Sequence, residues 1–243
     1  MTTGPRARSF GSAAPRYAAH RPPYPSGLFD TVEELAGRSL AGARVADVGA
    51  GTGIATAQLA ARGARVLAVE PGAGMAAEFR RRNPGLPLVR GDGDRLPLRG
   101  ASLDFLTYAQ SWHWTDAARS VPEALRVLRP GGALAVWCND PDVTVEWIAA
   151  QQARIEARFG PGWYINERAR SAPGLEFTRR RLAWSRRVPV ATHLAKLSTH
   201  SLFLIGRPGT DDFLAAERDR LTGLFPEGWI DEHYVTDLAV AVR

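Results

Sequence analysis

Three carboxylates near the ends of short apolar runs carry the chemistry this sequence can do. The first is Asp47, in Val45-Ala-Asp-Val-Gly-Ala-Gly-Thr-Gly53. Gly49, Gly51 and Gly53 let the backbone turn sharply and approach a ligand closely. The spacing is G-x-G-x-G. The dinucleotide fingerprint G-x-G-x-x-G needs a small residue at position 54, where Ile54 stands. The second carboxylate is Glu70, which lies 23 residues after Asp47. At the tip of a second strand it accepts hydrogen bonds from both hydroxyls of an adenosine ribose and repels a 2′-phosphate. The third lies in Arg90-Gly-Asp-Gly-Asp94. Asp92 can accept from an adenine amino group, and the Gly93 amide can donate to a ring nitrogen. Asp94 competes with Asp92 for that role, and an ordinary Asp/Gly turn is the plain alternative.

These residues need a strand before each of them. Apolar runs at Arg44–Val48, Arg65–Val69, Leu88–Arg90, Leu103–Tyr108 and Ala133–Cys138 supply five. Helices are expected between them at Ile54–Arg62, Gly74–Arg82 and Ser120–Leu128, the last ended by Pro130-Gly-Gly132. Strands alternating with helices mean βαβ units and a parallel sheet. Right-handed crossovers bring the strand C-termini to one edge, where ligands bind. Upstream, Arg21-Pro-Pro-Tyr-Pro25 forbids a helix, and Ser26–Arg38 permits one. Downstream, Glu146–Phe159, Thr192–Leu197 and Asp211–Leu224 read as helices, Leu175–Val188 as a strand or hairpin, and His233–Val242 as a closing strand. No linker is visible. The expectation is a single domain over 1–243, with residues 1–25 a mobile N-terminal lid, 26–140 the ligand-binding core and 141–243 a cover with the final strands.

Trp112-His113-Trp114 follows the fourth strand and so reaches the same edge. His113 is the best-placed general base there; the alternative is that the loop only shapes the pocket. His193, His200 and Tyr234 fall in the cover and are weaker candidates.

Composition narrows the class. The chain has 243 residues, 45% hydrophobic and 23% charged, enough to bury a core and ordinary for a globular protein. No apolar run is long enough to span a membrane, and Met1–Ser9 lacks the apolar stretch of a signal peptide. A single cysteine, Cys138, excludes an internal disulfide framework and a thiolate zinc site, and a reducing, cytoplasmic location is the default. No histidine or acidic spacing reads as a metal site. The net charge is +6, and Lys196 is the one lysine. The arginines are dispersed, so a solvated surface is favoured over a nucleic-acid stripe.

Asp47-Val-Gly-Ala-Gly-Thr-Gly53, Glu70-Pro71, Gly91-Asp92, Leu96-Pro97, Leu103-Asp-Phe105 and Leu128-Arg-Pro-Gly-Gly132 together resemble the class I S-adenosylmethionine-dependent methyltransferases, and most nearly the type 11 methyltransferase domain. Phe10, Tyr17, Arg21-Pro, Tyr24-Pro25 and Gln110-Ser-Trp-His-Trp114 resemble the trans-aconitate-methyltransferase-like branch. The resemblance spans about residues 10–140. It implies a Rossmann-like, doubly wound α/β fold with a mostly parallel seven-stranded sheet, order 3-2-1-4-5-7-6, the last strand antiparallel, and a helical cover. It implies S-adenosyl-L-methionine as cofactor and S-adenosyl-L-homocysteine as product. By the same resemblance, the loop Gly49, Ala50, Gly51 and Gly53 lies beside the methionine and ribose portions, oriented by Asp47. Glu70 with Pro71 holds the ribose, Met75 packs on adenine, Asp92 and Gly93 read its edge, and Ala109 and Gln110 line the methionine arm. Tyr17 and Arg21 close the site over the cofactor carboxylate. Trp112, Tyr24 and His200 are assigned to the acceptor, and His113 is the catalytic candidate. Gly93 stands where the family often has Ala, which is expected to loosen the adenine loop slightly. A small-molecule acceptor is expected, without membrane or nucleic acid. An RNA methyltransferase and a non-methylating, cyclase-like or cofactor-binding protein on this fold remain the alternatives.

Overall fold

A computed structural model describes residues 10–160, 175–204 and 208–243, with the side chains of 10–12 left out. Seven strands form one sheet: β1 (Arg44–Val48), β2 (Arg65–Val69), β3 (Leu88–Val89), β4 (Leu103–Ala109), β5 (Leu128–Pro141), β6 (Thr178–Pro189) and β7 (Trp229–Val242). Their order is β3-β2-β1-β4-β5-β7-β6. β1, β2, β3, β4 and β5 pair in parallel, and β7 runs antiparallel to both β5 and β6. This is the doubly wound topology that the resemblance implies.

Alternation along the central strands builds a core on each face. Val45, Phe105 and Trp137 point to one side, where they meet Leu28, Phe29 and Val32 of α2 (Ser26–Ala36) and Leu59 of α3 (Ile54–Ala61). Ala46, Leu106 and Val136 point to the other, against Val121, Ala124 and Val127 of α5 (Ala117–Val127). Between α3 and α5 in the chain lies α4 (Ala73–Arg82). The cover consists of α6 (Glu146–Phe159), α7 (Val190–Leu197), α8 (Ser201–Leu204) and α9 (Thr210–Leu224). Among the described residues no helix is long and apolar enough to cross a membrane.

Three expectations need correction. Residues 10–20 of the expected mobile lid form a helix, α1 (Phe10–His20), despite Pro15, and it packs against α4 and α7. The order comes from distant side chains. Arg16 Nη2 donates to Ser198 Oγ at 2.6 Å, Arg21 Nε to Thr199 Oγ1 at 3.0 Å, and Arg186 Nη2 to the His20 carbonyl at 3.0 Å. The Pro22–Pro25 stretch lies outside any helix. Residues 1–9 lie outside the described residues. Second, α5 starts at Ala117, where the Asp116 carboxylate caps it by accepting from the Ala118 amide at 3.1 Å. Third, β5 begins at Leu128 and passes through Pro130-Gly-Gly132, where a break was expected. Leu103 pairs with Leu128 before a register shift, and the Arg243 backbone clamps Gly131 and Gly132.

Candidate active site

The strand order reverses between β1 and β4, and there the crossovers leave a crevice at the strand C-termini. A cavity open to solvent occupies it. The turn after β1 contributes Gly49, Ala50, Gly51 and Thr52, and the end of β2 contributes Glu70 and Pro71, with Met75 from α4. Asp92, Gly93 and Asp94 come from the loop after β3, and Ala109 and Gln110 from the end of β4. Tyr17 of α1 and Tyr24 complete the wall.

Asp47 lies just behind this surface, 0% exposed. Thr56 Oγ1 donates to its Oδ2 at 2.6 Å and Thr107 Oγ1 to its Oδ1 at 3.0 Å. Burial outweighs those bonds and pushes its pKa up to about 6. Its position joins the base of the glycine turn to β4 and α3. Glu70 is also buried, and burial raises its pKa, opposed by two amide donors. Gly72 N–H donates to Oε1 at 2.6 Å and Gly51 N–H to Oε2 at 2.8 Å. A carboxylate has about four acceptor sites, so two remain for ligand hydroxyls.

The turn is close-fitting. Gly49 has φ +67°, and a Cβ there would lie 2.5 Å from Ser111 Cβ. Ser111 Oγ donates to the Val48 carbonyl at 2.5 Å, which fastens the loop after β4 to the end of β1. Gln110 takes a left-handed φ of +58° between them.

The loop after β3 separates the roles of its two acids. Asp92 Oδ1 accepts from the amides of Asp94 and Arg95 at 3.0 and 3.1 Å. Asp94 Oδ1 accepts from the Asp116 amide at 2.9 Å and so braces the start of α5. Gly93 does not loosen the loop. A Cβ there would meet Thr115 Cγ2 at 2.8 Å and the Tyr108 ring at 3.1 Å, so the loop is packed too tightly for Ala.

Six sequence-assigned residues lie off the cavity wall. Asp47 and Gly53 support it from behind. Arg21 turns to the cover, donating to Thr199, with its guanidinium 4.8 Å from the Tyr17 ring centroid. Trp112 is only 2% exposed and packs edge-to-face on Tyr108 at 4.7 Å, so it belongs to the core. His113 also lies outside the lining, and burial pushes its pKa down to about 4. His200 lines a different cavity, in the cover. Residues 112–114 form a single 3-10 turn, and its phase turns Trp114 to the cavity while Trp112 goes inward. Thr52, Ser111 and Thr115 line the site without an assigned role, as does Trp114, which the sequence places at this edge. Their membership in the two ligand-facing loops was the available signal.

The comparisons with known proteins agree with this geometry. Residues 46–136 match the family model described as a methyltransferase domain. An uncharacterized methyltransferase of Mycobacterium tuberculosis is 41% identical over 140 residues, covering 58% of this chain and 56% of its own. A demethylmenaquinone methyltransferase of Beutenbergia cavernae is 41% identical over 131 residues, covering 54% and 50% respectively. The chain thus spans about half the length of these curated relatives. A solved structure assigned as a type II methyltransferase of Anaeromyxobacter dehalogenans superposes with a TM-score of 0.71 at 26% identity, covering 91% of this chain and 97% of that one. Residues 46–136 are therefore similar to a methyltransferase domain, and the chain shares the fold of that solved methyltransferase structure.

Proposed function

We propose that the protein is a methyltransferase that uses S-adenosyl-L-methionine to methylate a small-molecule acceptor. The observation that carries this reading is the convergence of Glu70, the Gly49–Gly51 turn and Asp92 on one cavity at the strand switch point. The donor set fits the cofactor. Glu70 keeps two acceptor sites for a ribose, Met75 and Pro71 offer an apolar wall for a purine, and Asp92 stands at its edge. Thr52 Oγ1 is buried without a partner among the described residues, so it is a ready donor to a polar ligand atom. When bound, S-adenosylmethionine supplies an activated methyl on a sulfonium centre.

The residues of this chain then bind, orient and exclude water. Tyr17, Tyr24 and Trp114 add aromatic surface to the cavity wall. Such a wall suits a compact acceptor. Holding nucleophile and methyl in line supplies most of the catalysis. Tyr17 at the cavity wall, backed by Arg21, fits the trans-aconitate-methyltransferase-like branch, whose acceptors point to a secondary metabolite or a carboxylate. We place the reaction in the cytoplasm, in keeping with the lone Cys138, and without a nucleic-acid partner.

Calorimetry with S-adenosylhomocysteine and NAD tests the cofactor. Tight binding of the first and none of the second is expected, and the reverse preference would sink the proposal. Release of S-adenosylhomocysteine on incubation with a panel of small acceptors then identifies the substrate.

A further inference from the structure

The strap between α1 and α2 reads Pro22-Pro23-Tyr24-Pro25, so Tyr24 carries the one backbone N–H in it. Proline fixes φ and biases the residue before it towards extended backbone, which makes no hydrogen bonds of its own. The strap must therefore be anchored from outside. Gln58 of α3 does this with both ends of its amide. Its Oε1 accepts from the Tyr24 N–H at 2.9 Å, and its Nε2 donates to the Tyr24 carbonyl at 2.7 Å. The helix α3 starts directly after Gly53, so the clamp fixes Tyr24 relative to the glycine turn.

The Tyr24 ring is held as well. It packs edge-to-face on Trp137, centroids 5.7 Å apart, and Trp137 is 1% exposed. The hydroxyl is left over: no hydrogen bond ties it among the described residues, and Tyr24 lines the cavity. Burial raises its pKa well above the usual 10.0, so it stays a donor. The sheet order says which end of the cavity it serves. Glu70 follows β2 and Asp92 follows β3, on one side of β1. Trp137 belongs to β5 and pairs with Ala109 of β4, on the other side. A cofactor with its adenosine on Glu70 and Asp92 therefore extends its amino-acid end towards Tyr24. That end carries a carboxylate, and none of the described residues lining the cavity is cationic. Arg21, the guanidinium expected there, donates to Thr199 in the cover instead.

We propose that the Tyr24 hydroxyl donates a hydrogen bond to the methionine carboxylate of the cofactor, and that Gln58 is the positioning residue that holds it there. This rests on the methyl-transfer reading of the cavity. It assigns Tyr24 to the cofactor, where the resemblance assigned it to the acceptor.

Calorimetry on the full chain with S-adenosylhomocysteine and with 5′-methylthioadenosine, which keeps the adenosine and sulfur but lacks the amino-acid end, tests this. Tyr24→Phe should weaken S-adenosylhomocysteine at least about tenfold and leave 5′-methylthioadenosine within about twofold. Gln58→Leu should show the same selective loss, at least about threefold. A merely structural role would weaken both nucleosides alike, so equal losses in Gln58→Leu overturn the positioning role. Should Gln58→Leu not fold, Gln58→Glu, which still accepts from the Tyr24 amide, is read by the same selectivity. Unchanged S-adenosylhomocysteine affinity in Tyr24→Phe overturns the carboxylate contact and returns Tyr24 to the acceptor. A wild-type protein that binds neither nucleoside refutes the methyl-transfer reading itself, whereas one that binds both, with no selective loss in either variant, refutes this proposal alone.

Discussion

The carboxylate of Glu70 accepts the Gly51 amide at 2.8 Å, so the tip of β2 braces the glycine turn after β1. One side chain thus shapes the turn and faces the cavity. Replacing it removes both functions at once. Glu70→Ala is expected to weaken S-adenosylhomocysteine binding by about 1.5–3 kcal/mol, the range for hydrogen bonds to a charged group. Glu70→Gln should lose less, because its amide oxygen still accepts from one N–H. Calorimetry on both variants checks the order, and equal affinities for wild type and Glu70→Ala would remove Glu70 from the ribose site.

Where the sequence was legible, the signal was local. The Arg44–Val48 and Arg65–Val69 runs are short, apolar and bounded by turn residues, and both strands occupy those exact spans. Glu146–Phe159 likewise matches its helix. The misses are tertiary in origin. α1 contains Pro15 and holds its place through Arg16, Arg21 and Arg186, whose partners are all more than 160 residues away in sequence. The choice of Trp114 over Trp112 depends on the phase of one 3-10 turn and on Tyr108 as packing partner. A motif places a loop at the right edge, but it does not say which aromatic faces in. The Gln58–Tyr24 clamp joins residues 34 apart with no spacing signature, so only the packed fold reveals it.

Asp47 predicts a pH dependence. Its folded pKa lies at about 6, above the ordinary 3.8, because burial penalises the carboxylate. Folding therefore favours its protonated form. The stability this contributes is fully present below about pH 3.8 and is lost as pH rises through about 6. The loss amounts to about 3 kcal/mol, which the protein tolerates to keep a charge under the glycine turn. Asp47→Asn should lack this dependence. Thermal unfolding from pH 4 to pH 8 is expected to show the variant gaining on wild type as pH rises, while its cofactor binding weakens. A stability difference that stays flat across that range would contradict the assignment.

His113 is not expected to act as a general base. It lies off the cavity, and burial holds its pKa near 4, so it is neutral throughout the physiological range. A proton acceptor that weak offers little driving force, and positioning can carry methyl transfer. His113→Asn should change turnover by less than about tenfold and leave the pH–rate profile between pH 5 and 9 in place. A loss of about a hundredfold with unchanged acceptor KM would restore the base role.

Gly93 tests whether the adenine loop is tight or loose. The resemblance leads one to expect Ala at this position, which would make a methyl group harmless. Here a Cβ would stand 2.8 Å from Thr115 Cγ2 and 3.1 Å from Tyr108 Cε1. The Tyr108 ring cannot retreat, since it is fully buried and Trp112 packs on it. Thr115 is pinned as well, its Oγ1 donating to the Trp112 carbonyl at 2.8 Å and lying within hydrogen-bond distance of Ser120 Oγ at 3.1 Å. The loop itself must therefore shift, carrying Asp92 with it. Gly93→Ala is expected to cost about 1–3 kcal/mol of stability, the usual range for overpacking, and to weaken cofactor binding. Adding Thr115→Ser removes the clashing Cγ2 while keeping the hydroxyl, so the double variant should recover much of both losses. Denaturant titration and calorimetry on the two variants check this. Gly93→Ala that binds cofactor as tightly as wild type, with no loss of stability, would mean the loop has room that the packing denies.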